Sequence, residues 1–500
     1  MTMKSLAERV YKPALAIVVI VSLLAASFAQ KSLNQERKNL GLVRTEVLEN
    51  APPILAFTTV ALGGFRGLIA NILWIRASDL QEDGKYFEMV TLAGWITKLQ
   101  PRIPTVWYHQ AWNMAYNISI KFQDPRDRWQ WVRRGIELLR DEGLLYNPKE
   151  TLLYRELAWF FQHKMGHNLD DAHMYFKQVW ADDMFQVLGA GRPKFDELIN
   201  PQTDEAKTRS RVLRERYKLD PAKMKEFDAR FGPLEWRLPE AHAIYWYALG
   251  LDTSKREELM TLRRGIYQSM QLAFQRGRLI EDPFSRTFEF GPNLELIPKV
   301  NESYELMQKE EPEQKDHIGT GHKNFLKDAV YFLYTHNRQT EALKWLAYLR
   351  MTYPTAIPAT QDLDSYAVER VTEVTSETSV DRTKAVLQGL IGSSFYFLGI
   401  GEEEQSLGLD RLAQRAWIRF QDKIASSTNR IGLPPLSVLK RDVLNRMLDP
   451  EKGVNPLLAA QLRTALNLPA PTNAPPSAPA TNAPLPNIPP TLTPARPGTR

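Results

Sequence analysis

Residues 84–112 read GKYFEMVTLAGWITKLQPRIPTVWYHQAW. Three Trp, two Tyr and one Phe crowd into this stretch, with Pro101 and Pro104 near its middle. Aromatics at this density either pack between helices or line a ligand platform, and the small and turn-forming residues around them separate the two. Gly84 closes one helix, since glycine takes the left-handed turn at a C-terminus without strain. Tyr86 and Glu88 open the next. Leu99 and Pro101 end it, because proline cannot donate the backbone hydrogen bond a helix needs. A further helix starts at Pro104, and Trp107 and Ala111 lie on it. Ala77 and Ala111 are 34 residues apart, and small residues at such positions let paired helices approach closely while an aromatic fills the remaining groove.

This layout resembles a degenerate tetratricopeptide repeat, with Trp107 and Ala111 in the slots that pattern gives to Trp and to a small residue. Met89 stands where the family usually has Ala, and Arg76 where it has Leu. The plan recurs in 151–180, where Tyr154, Leu157, Ala158 and Phe161 share one helix and Ala172 and Phe176 belong to the next. It recurs again in 323–354, where Glu341 and Ala342 open a second helix that Pro354 ends, and in 385–421. Residues 240–251 and 259–279 give another pair, for roughly five or six hairpins in all. The resemblance implies an all-α, right-handed superhelix of helical hairpins. It also implies a concave face formed by the first helices, on which Trp74, Ser78, Tyr108, Trp112, Tyr116, Arg155, Trp159 and His163 would lie. Such a face suits an extended peptide or a glycan. The competing expectation is that these aromatics only thicken the inter-helix core. The family's basic clamp for a terminal carboxylate has no counterpart here beyond Arg155.

Outward from this region the chain changes character at both ends. Lys4, Arg9 and Lys12 precede an uncharged apolar segment, Pro13–Ala29. That pattern belongs to an export signal or a membrane anchor. Ser27-Phe28-Ala29 would suit cleavage, but the favoured expectation is an uncleaved transmembrane anchor with the body on the periplasmic, extracytoplasmic side. A second apolar stretch, 52–77, contains Arg66 and Gly63-Gly64 and is read as a buried helix, since an arginine facing lipid is costly. At the other end, residues 468–500 hold 11 of the 33 prolines. They offer little to bury and are expected to be disordered or extended. The expected organisation is 1–31 anchor or signal, 32–64 linker with a lead-in helix, 65–182 hairpins, 183–238 an irregular helical insertion, 239–467 further hairpins and 468–500 a tail.

Composition narrows the function. The chain of 500 residues carries 64 basic and 58 acidic side chains, without the Lys/Arg runs that track phosphates, so nucleic acid is not an expected partner. It has no cysteine, which removes disulfides, thiolate metal sites and a Cys nucleophile. His163, His167, Asp170, Asp171 and His173 have a metal-like look, but Gly166 and Asn168 should end the helix between them, so no metal is expected. Glu235, Arg237, Glu240 and His242 could serve acid–base chemistry; Pro239 and Glu240 more simply start a helix, and Glu235 with Arg237 would make a surface pair. In 317–325 (HIGTGHKNF) the glycines lack phosphate-loop spacing and are read as a helix-opening turn. These readings predict a non-enzymatic, membrane-anchored scaffold for a protein or peptide partner, with no cofactor. The alternative is an exported helical toroid that acts on glycans, with two carboxylates about 5–9.5 Å apart.

Overall fold

The computed structural model describes residues 65–253, 259–284, 288–372, 380–425 and 433–469, with short helical pieces between 17 and 36. The chain forms two compact units, Met1–Phe227 with Trp236–Ile266, and Asp228–Glu235 with Tyr267–Arg500.

The first unit begins with helices α1 (Phe65–Glu82), α2 (Tyr86–Leu99) and α3 (Pro104–Trp112). Gly84, at φ +71°, ends α1 in a Schellman turn, with the Lys85 amide donating to the Leu80 carbonyl at 2.8 Å. Ala77, Leu80, Met89, Ile96 and Val106 form the core of these helices, with Leu73, Trp74, Tyr86 and Leu92 against it. Trp107 is buried and its indole N–H donates to the Pro101 carbonyl at 2.8 Å. Asn147 donates to that same oxygen at 2.8 Å. Pro101 thus ends one helix and offers a carbonyl that two later residues secure. The segment read as a buried helix buries one face of α1 only, since Leu68, Ile72 and Ile75 are exposed.

Helix α4 (Pro125–Glu137) is capped by Asp124, whose carboxylate accepts from the Arg126 amide. It packs so closely on α3 that a Cβ on Gly135 would lie 2.8 Å from the Ala111 carbonyl and 3.4 Å from the Ala115 Cβ. Helices α5 (Thr151–Trp159) and α6 (His173–Leu188) follow, then α7 (Phe195–Ile199), α8 (Asp204–Glu215), α9 (Pro221–Phe231), α10 (Pro239–Thr253) and α11 (Leu259–Arg276), of which α9 from Asp228 and α11 from Tyr267 are counted with the second unit. Three helices of this unit widen into π turns, at Asn113–Ile118 after α3, Leu138–Gly143 after α4 and Phe160–Gly166 after α5. Such turns are rare and frequent at functional sites.

The second unit contains a short antiparallel hairpin, β1 (Arg278–Glu281) with β2 (Phe288–Gly291), in which Arg278 pairs with Gly291. Four residues per strand are too few for the alternation that marks a strand in sequence. Helices α12 (Ile297–Glu310), α13 (Lys315–Thr335), α14 (Gln339–Thr352), α15 (Leu363–Thr372), α16 (Val380–Gly399), α17 (Glu403–Ala425), α18 (Leu436–Met447) and α19 (Pro456–Ala465) complete it. Residues 317–325 lie inside α13 rather than in a turn. Gly321 there leaves room for the Tyr304 ring, 3.4 Å from where a Cβ would be. His322 is buried against Tyr304 and held by Asn301 at 2.8 Å and Tyr353 at 3.0 Å.

The membrane-anchored architecture does not stand. Among the described residues no helix is long and apolar enough to cross a membrane. The longest described piece of Pro13–Ala29 is 17–22, far short of the roughly 20 apolar residues a span requires; the rest of that segment lies outside the described residues. The transmembrane helix, the membrane as partner and the periplasmic placement that rested on it are therefore withdrawn. The Pro-rich tail from 470 onward also lies outside the described residues.

The 34-residue register fails at its second step as well. Thirty-four residues beyond Ala111 stands Leu145, which is 54% exposed, whereas the buried small residue of the next first helix is Ala158. The stretch between the two first helices is longer than a 34-residue period allows, since α3 starts at Pro104 and α5 only at Thr151. What remains is an all-α fold built of paired helices, with one small β-hairpin.

Candidate functional site

The true spacing in the first unit is 47 residues, the separation of Tyr116 and His163. It carries α3 onto α5, Ala111-Trp112 onto Ala158-Trp159, and the start of the π turn at Asn113 onto the start at Phe160. The two helices are therefore built alike, although few of their residues match.

Each presents a stacked aromatic pair at its π turn. Trp112 and Tyr116 stack with centroids 5.3 Å apart and planes 17° from parallel. Trp159 and His163 stack at 4.5 Å and 12°. A widened turn places residues four apart more nearly above one another, so rings at that spacing meet face to face. The pairs join where the Tyr116 hydroxyl meets His163 Nδ1 at 3.1 Å. Burial raises the Tyr116 phenol well above its ordinary value, with the Glu156 charge adding to it. Burial, and secondarily the Lys164 charge, lowers the His163 imidazole. Both directions keep the phenol protonated and the imidazole neutral, so the contact is a neutral hydrogen bond and not an ion pair. All four rings are half-buried.

A polar floor lies beside them. Glu156 is buried and accepts from Arg155 at 2.6 Å. Burial raises its carboxyl, while the Arg155 guanidinium and His109 oppose the rise. Burial and then the Glu156 charge raise the Tyr108 phenol. Gln162, in the second π turn, accepts from the Tyr247 hydroxyl at 2.7 Å and ties the turn to α10. Beneath His163, Lys164 donates to Asp170 at 2.6 Å, and Arg128 reaches the same carboxylate at 2.9 Å. Burial alone would raise the Asp170 carboxyl; the hydrogen bonds from Lys164, the Ala172 amide and Arg128 hold it below its ordinary value.

Of the residues expected on this face, Trp112, Tyr116, His163 and Trp159 are joined by ring contacts and a hydrogen bond, while Tyr108 and Arg155 are linked to Glu156 by charge and by hydrogen bonding respectively. Trp74 joins only at its edge, through an edge-on contact with His109 at 6.0 Å. Ser78 is exposed on α1, and its hydroxyl donates to the Trp74 carbonyl of its own helix at 3.1 Å. Sequence reading missed Glu156, Gln162, Tyr247 and His109. The repeated Ala-Trp pair was the available signal for the row, but nothing in the sequence reveals that Glu156 faces inward.

The other clusters have structural roles here. Asp170 is taken up by Lys164 and Arg128, and among the described residues no three His, Asp or Glu side chains converge as a metal site. His242 is fully buried and held to the Trp236 carbonyl at 2.8 Å, and burial lowers it to about 4. Arg237, expected at the surface, is buried.

The chain matches no family model, no curated protein and no solved structure. The tetratricopeptide resemblance is accordingly withdrawn, in agreement with the 47-residue spacing, and function is argued from the site alone.

Proposed function

We propose that the first unit is a polypeptide-binding module and that the row Tyr108, Trp112, Tyr116, Arg155, Trp159 and His163 receives an extended segment of a partner. The observation that carries this reading is the pair of equivalent stacked rings, Trp112–Tyr116 and Trp159–His163, set half-exposed on two neighbouring helices. Rigid aromatics of this kind present large contact area at low entropic cost. Their rotamers are held from behind by the Tyr116–His163 hydrogen bond and the Lys164–Asp170 pair. Binding needs such preorganisation and no acid–base pair.

Glycan hydrolysis would need a second carboxylate facing Glu156. The groups that act on Glu156 are Arg155 and His109, with no carboxylate among them. That favours recognition over catalysis as the role of this face.

Selection of random displayed peptides on the full chain tests the proposal. Selected peptides should quench tryptophan fluorescence and lose about tenfold or more in affinity in a Trp159→Ala variant of unchanged helicity. Peptides that bind wild type and variant equally would place the binding face elsewhere.

A further inference from the structure

A cleft of about 410 Å³ opens in the second unit, lined by Arg278, His336, Arg338, Glu295 and Glu402–Gln405 among others. It lies where the C-terminus of α13 meets the N-terminus of α17. The two helix ends are pressed together, since a Cβ on Gly408 would lie 2.1 Å from the Thr335 carbonyl oxygen. Gly401, at φ +90°, makes the turn that delivers α17 to this contact. Its volume is within the range of small-ligand sites.

The charges of the cleft do not cancel. Its two arginines are engaged, Arg278 with Glu402 at 2.6 and 2.8 Å, and Arg338 with Glu295 at 2.7 Å and with Glu341 at 2.6 and 2.7 Å. Glu403 and Glu404 also line the cleft, and their side chains are exposed. The lining thus holds four carboxylates against two guanidinium groups.

His336 adds an independent requirement. It is only 5% exposed, and its Nδ1–H donates to the Phe332 carbonyl at 2.8 Å. Nε2 is then left with a lone pair, and among the described residues it has no hydrogen-bond partner. Burial lowers the imidazole below its ordinary value, which keeps the ring neutral and Nε2 an acceptor. A buried acceptor without a donor is costly, so a ligand that brings an N–H to it gains that contact.

We propose that this cleft binds a cationic N–H donor, an alkyl ammonium or guanidinium group, with His336 Nε2 and the carboxylates of Glu403 and Glu404 as its acceptors. Neutral His336 asks for a donor, and the excess carboxylates ask for positive charge. An amine or guanidine supplies both at once, whereas a carboxylate or phosphate supplies neither.

Calorimetric titration of the full chain at low salt tests this with spermidine, with the blocked tripeptide Gly-Arg-Gly, and with succinate as the anionic control. At least one cation should bind saturably. The exposed double variant Glu403→Gln/Glu404→Gln should weaken it by about tenfold, and His336→Gln by about threefold at an unchanged melting curve. If His336→Gln melts early, the double variant decides alone. Binding of spermidine only would mark a free polyamine as the ligand class, and binding of the tripeptide only would mark a basic side chain. The proposal is overturned if succinate binds as well as the cations, if neither cation saturates, or if the double variant binds as tightly as wild type.

Discussion

The Tyr116 hydroxyl lies 3.1 Å from His163 Nδ1, joining two helices across 47 residues of chain. Each residue is the second ring of a stacked pair, so one hydrogen bond orients four aromatic side chains. Tyr116→Phe keeps the ring and removes the donor. It should cost about 1 kcal/mol in denaturant unfolding, and it should weaken selected peptides through loss of orientation rather than loss of area. An unchanged unfolding midpoint would show that the bond does not hold the row.

Asp170 neutralises the buried Lys164 at 2.6 Å and the half-buried Arg128 at 2.9 Å. Asp170→Ala would leave the buried Lys164 ammonium unpaired, which costs about 3–5 kcal/mol. Combining it with Lys164→Met should recover part of that loss, since the uncompensated charge is then gone. Equal stability of the single and double variants, measured by chemical denaturation, would contradict the pairing.

Two helical glycines should respond oppositely to alanine. A Cβ at Gly135 meets the Ala111 carbonyl at 2.8 Å, and backbone cannot yield as a side chain can. Gly135→Ala should therefore lower stability by about 1–3 kcal/mol. Gly389, in α16, has nothing within 4 Å of its Cβ position. Gly389→Ala should raise stability by up to about 1 kcal/mol through helix propensity. Thermal melts of the two variants compare them directly.

Acid should destabilise the chain through its buried histidines. Burial lowers both His242 and His322 to about 4. Between the unfolded value, about 6.5, and about 4 the unfolded chain takes up protons that the folded chain refuses. The stability they contribute is present above about pH 6.5 and is lost as the pH falls through that window, by up to about 1.4 kcal/mol per pH unit for each histidine. Unfolding free energies measured from pH 7 to 4 should show that slope, and His322→Gln should reduce it. A flat profile would mean that these rings take up protons equally in the folded and the unfolded chain.

The sequence by itself determined the helical character of the chain and several of its boundaries. Gly84, Pro101 and Pro104 act through their own backbone, so their effect on α1, α2 and α3 is local and legible. Trp107 and Ala111 were legible as packing residues because size alone makes them so. Helical spacing places Tyr108, Trp112 and Tyr116 on one side of a helix, and likewise Arg155, Trp159 and His163; the ring contacts and the hydrogen bond join Trp112, Tyr116, Trp159 and His163.

The tertiary structure decided what local rules cannot. The hydrogen bond between Tyr116 and His163 spans 47 residues and had no local signature, because it exists only once α3 and α5 lie side by side. The hydrogen bond from Tyr247 to Gln162, and the cleft where α13 meets α17, each join residues far apart in the chain. Contacts of that kind arise only once the helices have packed, which is why no local pattern announces them.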